Sequence, residues 1–487
     1  MAILCKQTLH QLPGALMPAY TFPVTDASHI LHFGVGAFHR AHQAWIWHQL
    51  QQSDPERFGR WSVTGVCLLP ADKPLVDALR AQDLLYTLRA SAASGEAQLH
   101  VINSLSAVLY GDADREQILD GIAHAETKVI SFTITEGGYD TRQSLAEIDG
   151  RMVPSAVFAY LAHGLARRKA AGNGGVVLMS CDNIQENGRV LKEALATCLE
   201  RLDPDLKRWV EDHVLFPNSM VDRITPATTT RHMDAYEQQY GLRDKAMVVS
   251  EDFLQWVLED TVRPFLPPID AFGVEFVADV RPYELMKLSI LNAGHSLVGF
   301  LGDALGYTTI HDAVVDERIG GLFDKYALRE AIPVLGHFAG MDYTRYYQAV
   351  KLRFSNALIN DSTARIIGGS SDKIPKFLLP IVWQQLRKPR PQLDVAVLMV
   401  ALWWRFLQKA YGGAMWDQLV DTKKDQLGPL FADETTSAAR FLAFEPVFGK
   451  LGTQPAFAER YFSCVDALRN DATDGLIQFI LRGDLND

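Results

Sequence analysis

The chain has only five cysteines among 487 residues, at positions 5, 67, 181, 198 and 464. The number is odd and no CxxC pair occurs, so neither a disulfide framework nor a structural zinc site is indicated. Unpaired thiols fit a reducing compartment, and a cytoplasmic location is expected. Positive charge is also scarce: 47 Lys and Arg stand against 58 Asp and Glu, a net charge of −11. That balance argues against nucleic acid or an anionic membrane surface as a partner. Long apolar runs are missing. The stretch 395–404 ends at Arg405, and the stretch 285–301 carries Lys287, so both read as buried helices too short to span a bilayer. The opening MAILCKQTLHQLPG lacks a basic region followed by a long apolar run, and no secretory signal is expected. The fourteen histidines include no HExxH, and metal-independent chemistry is expected.

What is present is a change of pattern along the chain. The length predicts two domains or more. Strand-like runs at 29–33, 62–68, 128–135, 175–180 and 273–280 alternate with helical stretches such as 41–51, 72–82 and 155–171. The runs are continuous and rich in Val and Ile, as buried parallel strands are. This is the βαβ pattern of a doubly wound sheet. From about residue 281, helices follow one another at 282–301, 319–331, 343–354, 374–386, 394–411, 437–442 and 455–469, with few strand signals. The expected fold is α/β: an N-terminal Rossmann-type doubly wound domain over 1–280, then a mainly α-helical domain over 281–487. A site is expected where the two meet, a common place for cofactor clefts.

Two segments carry chemistry. The stretch 285–301, LMKLSILNAGHSLVGFL, is apolar on nearly every side and must be buried. On an α-helix at about 100° per residue, His295 lies roughly 80° from Lys287, Asn292 roughly 140° and Glu284 roughly 60°. A buried ammonium, amide and imidazole are costly unless paired, and burial lowers a lysine pKa toward the working pH. A structural Glu284–Lys287 pair with a core histidine explains the segment about as well. The second segment is the apolar run 30–33 followed by Gly34-Val-Gly-Ala-Phe38 and a helix start near Arg40. A strand, a glycine turn and a helix start let backbone amides approach a pyrophosphate. His39 stands where GxGxxG has its third glycine, and an ordinary tight turn is the competing reading. Asp72, shortly after the second strand run, either holds a ribose and disfavours a 2′-phosphate or caps a helix.

Taken together, Gly34-Val-Gly-Ala-Phe-His-Arg-Ala-His-Gln-Ala44 and Lys287-x4-Asn292-x2-His295 resemble the N-terminal and catalytic motifs of the long-chain polyol dehydrogenases, the mannitol dehydrogenase family. Further segments fit in order: Thr133-Ile-Thr-Glu-Gly-Gly-Tyr139, Ser180-Cys-Asp-Asn183, 216–226, 255–259 and Arg353-Phe-Ser-Asn356. The resemblance implies an NAD-dependent, metal-independent interconversion of a polyol and a ketose. It assigns catalysis to Lys287 as general base with Asn292 and His295, and proton relay to Glu284. It assigns substrate binding to Asn183, Asp222, Arg365 and Lys373, and cofactor binding to Gly34, Gly36, Phe38, Arg40 and Asp72. From the residues alone, Asn183 and Asp222 equally cap turns, and Arg365 and Lys373 equally read as solvated charges. His39 and His42 either belong to the cofactor motif or pack there.

Glu136-Gly-Gly-Tyr139 and Ser370-Ser-Asp-Lys-Ile-Pro-Lys376 resemble the mannitol and arabinitol enzymes more than the fructuronate and tagaturonate reductases. D-mannitol and D-fructose are the expected pair, a hexuronate reductase or D-arabinitol 4-dehydrogenase the alternatives. Gly369 and Asn292-Ala-Gly-His295 depart from the usual pattern near the substrate. A nucleotide sensor without turnover is the competing class, but a binder has no need of a buried base. NADP is the less expected cofactor, and the resemblance leans toward a monomer.

Overall fold

The computed structural model describes residues 2–18, 28–111, 113–338 and 340–483. Two compact units divide the chain: Met1–Ala92 with Glu96–Tyr283, and Ala93–Gly95 with Glu284–Asp487.

The first unit is built on a five-stranded parallel sheet. Its order is Leu105–Tyr110, Val63–Cys67, Ile30–Phe33, Val129–Phe132, Val177–Ser180. In chain order this is 3-2-1-4-5, the doubly wound arrangement, with the order reversing between Ile30–Phe33 and Val129–Phe132. Val129–Phe132 and Val177–Ser180 are buried along their whole length, as helices on both faces require. Lys73–Ala81, Arg115–Ala123, Val157–Ala170 and Asn187–Leu202 are among the connecting helices. Two further three-stranded sheets, and a two-stranded pairing of Ala2–Ile3 with Leu242–Arg243, belong to the unit. One joins Val248–Glu251, Tyr86–Ser91 and Ala97–Ile102; the other joins Val274–Val277, Gln255–Glu259 and Ser219–Asp222. The expected strand at 273–280 is therefore real but shorter and outside the parallel sheet. It pairs only with Gln255–Glu259 and is largely accessible on one side.

The helix expected over 41–51 begins earlier, as Ala37–Ala41, breaks at His42 and resumes as Gln43–Ser53. His42 has non-helical angles, and its Nε2–H donates to the Gln255 carbonyl at 2.9 Å. At the N-terminal edge of the sheet, the buried Arg168 donates to the carbonyls of Gly174, Ile122, His124, Thr127 and Gly175 at 2.6–3.2 Å. Four of the five cysteines are buried.

The second unit is helical around two apolar rods, Ala293–Ala304 and Asp394–Ala410, which pack on each other. Ala293–Ala304 is also flanked by Ile310–Val314, Glu317–Lys325 and Thr363–Ile367, which explains its apolar character on all sides. Close approach needs small residues. A Cβ on Gly302 would stand 2.9 Å from Thr363 Cγ2 and 3.0 Å from Ala313 Cβ. The run 374–386, expected as one helix, is two, Ser370–Phe377 and Leu379–Gln385. Among the described residues no helix is long and apolar enough to cross a membrane.

The N-terminus of Asp394–Ala410 is capped from outside. The buried Glu330 accepts from Val395 N at 2.7 Å and Ala396 N at 2.9 Å. Burial pushes its carboxyl up to about 8, reinforced by Asp394 and opposed by those amides and by Lys325. The folded pKa lies above the unfolded one, so the native state holds this proton where the unfolded state has lost it. Stability from this group falls as pH rises from about 4.5 to about 8. Glu330→Gln should flatten that slope while keeping one amide acceptor, which melting temperatures across the interval would show. An unchanged slope would remove Glu330 from the pH response.

Candidate active site

In the first unit the candidate residues gather at the C-terminal edge of the parallel sheet, where open α/β sheets bind ligands. Ile30–Phe33 runs into Gly34 at φ +96°, and a Cβ there would lie 2.1 Å from the Thr133 carbonyl oxygen. Glycine at this position is dictated by the fold. Gly36 differs: it is exposed, it is the N-cap of Ala37–Ala41, and the nearest atom to a built Cβ is 4.0 Å away. Nothing among the described residues requires its bareness, and the helix start beside it is open. Phe38 is half-buried and stacks on His42 with centroids 5.0 Å apart.

Arg40 is turned into the unit. Its guanidinium is buried, donates to the Ala246 carbonyl and lies 5.5 Å from the Tyr86 ring centroid. Its Nε is buried without a hydrogen-bond partner among the described residues. His39 and His42 take different partners. His39 stacks on His32 at 3.5 Å, while His42 turns to Gln255.

The loop after Val129–Phe132 joins the glycine loop, because Thr133 Oγ1 donates to the Gly34 carbonyl at 2.7 Å. It then passes through Thr135 at φ 61°, ψ 173°. The buried Asp182 accepts from Thr135 N at 2.7 Å, Ile134 N at 3.2 Å and the Tyr139 hydroxyl at 2.8 Å. Asn183 follows it and is exposed at the edge. Asn187 Nδ2 donates to the carbonyls of Ser180, Asp182 and Ser219, and its Oδ1 accepts from Ser219 N. This amide ties the Asn183 loop to the strand that ends at the buried Asp222. Asp72 is half-buried at the end of a short 3-10 turn and accepts from Leu69 N at 3.2 Å. Its side chain does not cap the helix Lys73–Ala81.

In the second unit Glu284, Lys287, Asn292 and His295 are all buried. The α-helical projection of this segment needs correction. Arg281–Met286 is α, Lys287–Asn292 is a π turn, and α-helix resumes at Ala293. In an i→i+5 turn, residues five apart come into register. Lys287 and Asn292, the first and last residues of the turn, therefore lie nearer one side of the helix than the roughly 140° separation of an α-helix would put them. Glu284 is three residues before Lys287 and His295 three after Asn292, neighbour spacings on the flanking α-helices. Such wide turns are frequent at functional sites. Asn292 Nδ2 is buried with no hydrogen-bond partner among the described residues.

His295 stacks on Phe354, with centroids 4.5 Å apart, and Phe354 stacks on Phe323. Its Nε2 is 3.6 Å from Asp361 Oδ2. Burial lowers the imidazole to about 3; Asp361 opposes this, while Arg365, Lys373 and Arg353 add to it. The ring is thus neutral near pH 7. Arg365 is half-exposed and grips Asp361 through two bonds, Nε to Oδ1 at 2.6 Å and Nη2 to Oδ2. Lys373 is half-buried against the carbonyls of Ile366, at 2.9 Å, and Gly368, at 2.5 Å. Burial first, then Arg365, lowers its ammonium to about 8, with Asp361 and Asp421 opposing. Neither cation is a freely solvated surface charge. Asp361 was missed from the sequence, although its i, i+4 spacing to Arg365 was a usable signal.

The mannitol dehydrogenase Rossmann domain matches residues 28–269, and the mannitol dehydrogenase C-terminal domain matches 279–469. Mannitol dehydrogenase DSF1 of Saccharomyces cerevisiae is 37% identical over 404 residues, 80% of each chain. Polyol:NADP oxidoreductase of Gluconobacter oxydans is 36% identical over 389 residues, 77% of this chain and 79% of its own. The Pseudomonas fluorescens mannitol 2-dehydrogenase in ternary complex with NAD and D-mannitol superposes with a TM-score of 0.87 at 34% identity, covering 98% of this chain and 99% of its own. With both domain models matched in order over most of its length, the chain belongs to the mannitol dehydrogenase family.

Proposed function

We propose that the chain is an NAD-dependent polyol dehydrogenase that interconverts D-mannitol and D-fructose without a metal. The carrying observation is the π turn that begins with buried Lys287 and ends with Asn292, whose buried amide donor has no partner among the described residues. Lys287 Nζ takes the proton of the secondary hydroxyl. Asn292 Nδ2 donates to the oxygen as its charge grows, which also satisfies the orphaned amide. His295, neutral and steadied by Phe354, supplies a second hydrogen bond. Glu284 passes the proton from Lys287 to water. Bound NAD supplies the hydride acceptor, held by Gly34, Gly36 and Phe38 in the Rossmann-type domain, 1–280. The helical domain, 281–487, supplies the reacting side chains.

A neutral polyol suits the site better than a sugar acid. Arg365 already holds Asp361 through two bonds, so its charge is largely answered before any substrate arrives. Asn183, Asp222, Arg365 and Lys373 supply polar groups for the remaining hydroxyls. The half-buried Asp72 favours a ribose hydroxyl over a 2′-phosphate. A relative named for NADP makes this preference worth testing directly.

Purified protein should reduce fructose with NADH, and oxidise mannitol with NAD, at rates unchanged by exhaustive EDTA treatment. NADPH should support much slower turnover. Efficient reduction of fructuronate with fructose and mannitol untouched would replace the substrate assignment. Loss of activity to EDTA, restored by zinc, would replace the mechanism.

A further inference from the structure

Thr135 has a backbone conformation that the family assignment does not explain. At φ 61°, ψ 173° it occupies a region left almost entirely to glycine. A β-branched residue there is a genuine outlier. Such a conformation persists only when its surroundings over-determine it, and such residues cluster at ligand-binding segments.

The surroundings are identifiable. Asp182 Oδ1 accepts from Thr135 N, and Oδ2 accepts from both Ile134 N and the Tyr139 hydroxyl. The Tyr139 oxygen is also 2.6 Å from Ser180 Oγ. One carboxylate therefore grips both ends of the segment 134–139. That segment sits beside the glycine loop, to which Thr133 is bonded, at the point where strand order reverses. Dinucleotides lie across the crevice at this switch point. Asp182 also precedes Asn183 directly, so the same residue fixes the start of the neighbouring loop.

We propose that Asp182 is a positioning residue that holds Thr135 in its glycine-like conformation, so that the 133–139 loop is shaped for the dinucleotide before it binds. This rests on the dehydrogenase reading for the identity of the ligand. The Asp182 carboxylate touches neither substrate nor cofactor; it acts through the backbone of Ile134 and Thr135. Loop shape and backbone strain are thereby coupled, and the coupling is measurable.

The test uses Asp182→Asn, Thr135→Gly and the double variant. Asp182→Asn is nearly isosteric but sets an NH2 group against donors that now share the carboxylate. NADH binding, followed by quenching of tryptophan fluorescence, should weaken at least fivefold in the folded protein, and the melting temperature should fall. Thr135→Gly alone should keep or raise the melting temperature, because glycine adopts this conformation without strain. In the double variant it should recover at least half of the melting temperature lost by Asp182→Asn, without restoring NADH affinity. Asp182→Asn binding NADH within twofold of wild type would overturn the proposal. So would a double variant that melts no higher than Asp182→Asn, since the carboxylate would then not be holding strain at Thr135. Wild-type protein that binds NADH yet turns over no polyol would defeat the functional reading alone. Wild-type protein that fails to bind NADH would defeat both.

Discussion

Lys287→Ala is expected to lower polyol turnover by at least about 10²–10⁴, the usual worth of general-base help, while NADH still binds. Lys287 is buried at the start of the π turn, inside an otherwise apolar segment. The pH profile sharpens the test. His295 is lowered to about 3, so its imidazole stays neutral throughout the neutral and alkaline range. An inflection of kcat there does not belong to His295; Lys373, lowered to about 8, titrates in that range, so the profile is measured on Lys373→Gln as well as on Lys287→Ala. A structural role predicts a different pattern: removing one member of a buried charged pair lowers stability but leaves the rate of the folded fraction nearly intact. Lys287→Met separates the two roles further. Methionine fills similar volume without a charge, so under the base role it should abolish most turnover with the packing kept, whereas under the pair role it leaves the buried Glu284 uncompensated and lowers the melting temperature. Melting temperature and kcat measured on one preparation decide the matter. A variant that melts early and turns over normally would remove Lys287 from the chemistry.

Arg168→Met should be the most destabilising single change away from the site. The arginine donates to five backbone carbonyls and closes the N-terminal edge of the parallel sheet. Methionine keeps much of the packing and none of the donors. A buried acceptor left unpaired costs about 1–3 kcal/mol, and water can reach only some of the five. The expected loss is at least about 4 kcal/mol, at the exceptional end for one substitution. Arg168→Lys should rescue only part of it, since one ammonium cannot span the fork of a guanidinium. Denaturant unfolding measures the loss directly. The sheet's C-terminal edge is remote from this staple, so kcat per folded molecule should hold. A loss under about 1 kcal/mol would mean that the carbonyls find other partners.

The parallel strands at 30–33, 63–67, 129–132 and 177–180 were legible because each is a short, mainly apolar run between turn signals. Leu105–Tyr110 escaped notice, although Leu105, Val108 and Leu109 are buried and only Ser106 breaks its apolar run. The strand at 274–277 was visible, but its sheet was not, since partner choice depends on distant residues. Glu284, Lys287, Asn292 and His295 stood out as polar groups in an apolar segment. Their true register did not, because nothing in local sequence announces an i→i+5 turn. That turn is met by tertiary contacts, among them the Tyr326 hydroxyl on the Ser289 carbonyl at 3.0 Å. The partner of Arg40 was not legible either: its guanidinium meets the carbonyl of Ala246, about two hundred positions away.

The buried thiols give the protein a form of chemical insulation. Burial raises Cys67 and Cys198 to about 11 and Cys464 to about 12, and it pushes Cys181 up as well. At a pKa of 11, only about one thiol in ten thousand is the reactive thiolate at pH 7. Peroxide, disulfides and alkylating electrophiles attack that form, and they must also reach it. Four of the five thiols are thus kept almost out of reach of oxidants, and Cys5, which is only partly buried, is the one left to meet the thiol poise around the protein.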